Sequence, residues 1–66
     1  MMVVVNGEHR QLPEGATLAG LLEEMDVPPS GVAVAVDGAV ATRASWAATT
    51  LADGATVEVL TAVQGG

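Results

Sequence analysis

The sequence predicts an α+β domain in which one helix lies across one face of a mixed sheet of four to five strands. Three observations carry that prediction. Runs rich in β-branched residues occur at Val3-Val4-Val5, Val32-Ala33-Val34-Ala35-Val36 and from Val57 onward, the composition of strands. The dipeptides Asn6-Gly7, Asp37-Gly38 and Asp53-Gly54 punctuate them, and Asn-Gly and Asp-Gly are strong short hairpin signals. A single segment, Leu18 to Met25, has helical apolar spacing. At 66 residues the chain is one small domain, near the size at which burial only just sustains folding.

Taken in order, residues Met1 to Leu12 read as a hairpin turning at Asn6-Gly7, with Met1, Val3 and Val5 on one face. His9 and Arg10 fall on its second strand. A lone histidine with no cysteine or second histidine beside it is a poor metal ligand, so an exposed structural role is expected for His9. Pro13-Glu14-Gly15 then breaks the pattern, and Thr17 is placed to cap a helix whose inward face is Leu18, Leu21, Leu22 and Met25. Glu23 and Glu24 form its solvated side, and Val27-Pro28-Pro29-Ser30-Gly31 ends it.

The next run places Val32, Val34 and Val36 on one face and the small Ala33 and Ala35 on the other, then turns at Asp37-Gly38 into Ala39-Val40. Thr42 to Thr50 is irregular and holds Trp46, the only aromatic residue, which is expected in the core. After Asp53-Gly54 comes the final strand, with Val57 and Val59 inward and Glu58 and Leu60 on the opposite face. The expected core is Val3, Val5, Leu18, Leu21, Leu22, Val34, Val36, Val57 and Val59.

The chain ends in Val63-Gln64-Gly65-Gly66. Residues 1–62 are read as the domain and residues 63–66 as a flexible tail. Glycine has no Cβ, so Gly65-Gly66 can thread a narrow channel and bring a terminal carboxylate close to a ligand, although a frayed end has the same composition. Leu60 sits on a sheet face that no second helix is available to cover, which makes it a docking candidate. Val63 and Gln64, between it and the glycines, are the other expected docking residues.

Composition narrows the chemistry. There is no cysteine, so no thiolate metal site or cysteine nucleophile exists in the chain. A net charge of −6, with Arg10 and Arg43 as the permanent cations, argues against phosphate backbones as ligands and for a basic protein partner, although solubility alone also favours acidic surfaces. No apolar stretch approaches a bilayer span and no signal peptide is evident. A cytoplasmic protein with no nucleic-acid or membrane partner is expected. The absence of lysine excludes lysine-linked chains built on the protein itself.

The order hairpin, helix, hairpin, irregular segment, strand places the last strand centrally and parallel to the first, by the layer and right-handed crossover rules. That is a β-grasp, or ubiquitin-like, arrangement. A ferredoxin-like fold needs a second helix, for which Thr42 to Thr50 is too short and too rich in threonine.

Across its whole length the chain resembles the sulfur carriers of thiamine biosynthesis, the ThiS family. The matching residues are the opening strand ending at Asn6, Leu21-Leu22, Val32 to Gly38, Arg43-Ala44-Ser45-Trp46-Ala47, Asp53-Gly54 and Gly65-Gly66. Thr42 stands where the family commonly has proline. The resemblance implies that a ThiF-like adenylating enzyme of the ubiquitin-activating type, using ATP and Mg, adenylates the Gly66 carboxylate. Sulfur from a donor enzyme then displaces AMP, and the resulting thiocarboxylate serves a ThiG-like thiazole synthase. In that scheme the chain is a carrier and co-substrate rather than an enzyme, with no catalytic residue, metal or bound cofactor of its own. The alternatives it leaves are a subunit like the small subunit of molybdopterin synthase, a ubiquitin-like protein modifier, and a β-grasp interaction module with an inert tail.

Overall fold

The computed structural model describes residues 1–28 and 30–61. The elements are β1 (Met2–Val5), β2 (Glu8–Gln11), α1 (Leu18–Glu24), β3 (Val32–Val36), β4 (Ala39–Ala41), a 3-10 helix (Arg43–Ala48) and β5 (Thr56–Thr61). The sheet has the order β2-β1-β5-β3-β4. The last strand is therefore central, parallel to β1 through Val4 and Val5 and antiparallel to β3 from Val32↔Thr61 to Val36↔Val57. With α1 across one face, this is the β-grasp fold.

Both hairpins turn where the sequence predicts. Asn6 (φ 50°) with Gly7 (φ 82°) and Asp37 (φ 50°) with Gly38 (φ 85°) supply the two consecutive left-handed residues of a type I′ turn, whose twist matches that of the flanking strands. Helix α1 begins at Thr17, whose Oγ1 accepts from the Gly20 N–H at 3.2 Å. The Leu18 N–H, otherwise without a partner in the first turn, donates to the Thr49 carbonyl at 2.8 Å. The helix stops at Met25, before the Pro28-Pro29 break. Asp26 takes φ 58°, its N–H reaches the Glu23 carbonyl and that of Val27 reaches Leu22, the Schellman pattern in which a left-handed residue satisfies the last carbonyls.

The core lies between α1 and the sheet: Val3, Val5, Leu18, Leu21, Leu22, Val34, Val57 and Val59 are buried as expected. Val36 is half-buried rather than enclosed, because it closes the turn end of β3 and packs against the rim of the cluster. Three further residues complete the core, Leu12, Leu51 and Ala55. Leu12 and Leu51 flank the strands and belong to no regular element, so no periodicity announces them. Trp46 packs against this cluster from the 3-10 helix, with Nε1 donating to the Ala41 carbonyl at 2.9 Å.

Candidate functional site

Strand alternation divides β5 into two sets of side chains with different fates. Val57 and Val59 point to α1 and are 0% and 8% exposed, whereas Leu60 on the opposite face is 69% exposed. The register brings Ala33 of β3 beside Leu60, and Ala35 beside both Glu58 and, across the next gap, Val40 of β4. Val40 is 79% exposed. The open face therefore presents two apolar knobs, Leu60 and Val40, with a floor of alanines between them.

That floor forms a shallow depression of about 190 Å³, bordered by Glu58. A second depression continues over Gly31, Val32 and Thr61, and the two share Ala33 and Leu60. The small β3 side chains create the relief: a strand with valines on both faces would fill it. Exposed apolar side chains grouped around a concavity are what a docking surface requires, which makes this face the candidate site.

This surface reaches the end of β5. Thr61, the last described residue of β5, pairs with Val32. On the other side of β3, the pairing with β4 stops at Val34↔Ala41, and Arg43 opens the 3-10 helix that follows. Arg43 is exposed and, among the described residues, forms no ion pair, while Arg10 lies 3.7 Å from Glu24 on the helix side. Of the expected site residues, Leu60 is thus on the open face as read from the sequence. Val63, Gln64, Gly65 and Gly66 lie outside the described residues. Sequence reasoning missed Val40 as Leu60's companion, although the alanine face of β3 was the available signal.

Among the described residues no group of His, Cys, Asp or Glu is arranged to hold a metal ion, and no polar or charged side chain is buried. His9 is exposed on β2. No helix is long and apolar enough to cross a membrane.

Comparison with known proteins extends the picture beyond the described residues. The ThiS family model matches residues 3–66. The sulfur carrier protein ThiS of Thermus thermophilus is 45% identical over 65 residues, a match covering 98% of this chain and 100% of that protein. The crystal structure of the thiamine biosynthesis protein ThiS from Geobacter metallireducens has a TM-score of 0.83 at 33% identity, with both chains fully covered. The solution structure of a thiamine biosynthesis protein from the same organism has a TM-score of 0.81, also at 33% identity, and covers 100% of this chain and 88% of that one.

Proposed function

The chain belongs to the ThiS family, and on that premise we propose that it is a sulfur carrier of thiamine biosynthesis whose reactive group is the Gly66 carboxylate. The observation that carries the reading is the continuity of the family match from the β-grasp domain through residue 66, beside an apolar face that runs to the end of β5.

A carboxylate is a poor electrophile. In the proposed cycle the Gly66 carboxylate oxygen attacks the α-phosphorus of ATP in a ThiF-like enzyme, pyrophosphate leaves, and the acyl carbon gains AMP as a good leaving group. Sulfide-level sulfur from a donor enzyme then attacks that carbon. AMP departs and the tail ends in a thiocarboxylate, the form in which sulfur is handed to a ThiG-like thiazole synthase. The ATP and Mg belong to the partner. The chain itself contributes reach, a side-chain-free end and a docking face, and acts as co-substrate rather than enzyme.

Four fully extended residues span roughly 13 to 14 Å, and that is the reach this reading asks of Val63 to Gly66. The Leu60–Val40 face calls for an apolar partner surface, with a cation opposite Glu58. Such a partner is consistent with the net charge of −6.

Two measurements test this reading. Incubation with ATP, a sulfur source and host extract is expected to replace one oxygen by sulfur in the intact mass. A large protein adduct would instead identify a modifier. In ATP–pyrophosphate exchange with the cognate activating enzyme, Gly65→Val is expected to abolish exchange by blocking a channel that admits only backbone. Normal exchange by that variant would defeat the threading role of Gly65.

A further inference from the structure

Strand β5 outruns its neighbour β1. On the β3 side it is paired as far as Thr61, but β1 ends at Val5, and the left-handed Asn6 and Gly7 carry the chain away into the hairpin. The β1-side edge of β5 beyond Val57 would then have no strand to pair with.

Asn6 takes the place of that strand. Its main-chain N–H donates to the Val57 carbonyl at 2.9 Å. Its side chain then makes the next pair of bonds: Oδ1 accepts from the Val59 N–H at 2.8 Å and Nδ2 donates to the Val59 carbonyl at 3.1 Å. A carboxamide is a planar group with one acceptor and two donor hydrogens, so it alone offers Val59 the acceptor and the donor that two successive peptide units of an extended parallel β1 would offer. Aspartate lacks the donor. Glycine lacks both groups while still accepting the turn's positive φ.

Burial does not require this clamp, because Val59 is already seated in the core and β5 is already paired with β3. What the clamp adds is a second edge of support at Val59, two residues before Thr61. A strand held on one edge only is free to twist and fray toward the other. We propose that Asn6 is a positioning residue that fixes the direction in which β5 releases the C-terminal tail, so that the carboxylate reaches the partner's nucleotide in a reactive pose. This role rests on the activation of Gly66 proposed above. Misplacement of about 1 Å can cost on the order of a hundredfold in rate.

The test pairs Asn6→Gly with Asn6→Asp in ATP–pyrophosphate exchange using the cognate activating enzyme, run well below each variant's unfolding temperature. Both are expected to lower kcat at least about tenfold, with the KM for the carrier within about twofold of wild type, since the open face is untouched. Amide hydrogen exchange on the free protein should show the Val59 N–H accelerated in Asn6→Gly while Glu58 and Leu60, which point to β3, stay protected. A lower unfolding temperature with wild-type kcat would reduce Asn6 to a structural residue and overturn the proposal. If the wild-type chain supports no exchange, the activation reading falls and takes the positioning role with it, and the Val59 amide result then identifies a clamp that serves the fold alone.

Discussion

The two faces of the sheet are built from the same strands yet answer to different constraints. On the α1 side, Val3, Val5, Val34, Val57 and Val59 close against Leu18, Leu21 and Leu22. On the other side, Leu60 and Val40 stand in solvent over an alanine floor. Alternation along β5 lets a single strand serve both, so residues one position apart meet different surroundings: Val59 lies in the core and Leu60 in solvent, where the proposed docking would use it. Substitutions should therefore sort by parity, with stability losses confined to the helix side.

The strongest way to break this comparison is Leu22→Ala, which deletes a buried side chain facing the sheet. It is expected to lower unfolding stability by about 2 to 5 kcal/mol, a large share of what a small domain has. Chemical denaturation showing no shift would remove α1 from the core. Thr17→Ala should cost about 1 kcal/mol, because it removes the acceptor for the Gly20 N–H; a matching loss of helical circular dichroism at elevated temperature would locate the effect.

The surface of the helix side provides a weaker contrast. Arg10 and Glu24 approach to 3.7 Å with both side chains partly in water, so a double-mutant cycle with Arg10→Gln and Glu24→Gln should give a coupling of no more than about 0.5 kcal/mol. At the bottom of the series is Leu60→Glu, expected to move unfolding stability by less than about 0.5 kcal/mol while raising the KM for the carrier in pyrophosphate exchange. Unfolding of this variant would show that Leu60 supports the fold, and an unchanged KM would sink the docking role.

Much of this arrangement is legible in the sequence because local chemistry and the final fold agree. Asn6-Gly7 and Asp37-Gly38 specify turns by their tolerance of positive φ, and Leu18, Leu21 and Leu22 specify one helical face. Leu60 is legible through parity alone. The rest was hidden because it depends on partners distant in the chain. Leu51 is held inward by its own N–H, which donates to the Ala16 carbonyl at 2.9 Å, a contact that no local pattern encodes. The 3-10 helix from Arg43 to Ala48 follows from Ser45 and Thr49 bonding back to the carbonyls of Thr42 and Ser45, a geometry that threonine and alanine do not announce. The two turn residues also conceal second roles. Both grip β5, Asp37 through a carboxylate oxygen that accepts from the Thr56 N–H and Asn6 through a carboxamide that accepts from and donates to Val59. In sequence they are simply interchangeable turn formers, and only the carbonyl at Val59 makes the amide distinct.

The central position of β5 has a consequence for biosynthesis. During translation, the first hairpin, α1 and the second hairpin emerge without the strand that joins them, and a two-stranded hairpin alone is marginal in water. Pairing the last strand with the first spans nearly the whole chain, a long-range closure that is slow relative to local structure. A polypeptide released before residue 56 lacks the core valines Val57 and Val59, so the apolar residues they would cover stay exposed and prone to aggregation. Compactness thus depends on synthesis through β5: the sheet closes only once its central, last-made strand is present.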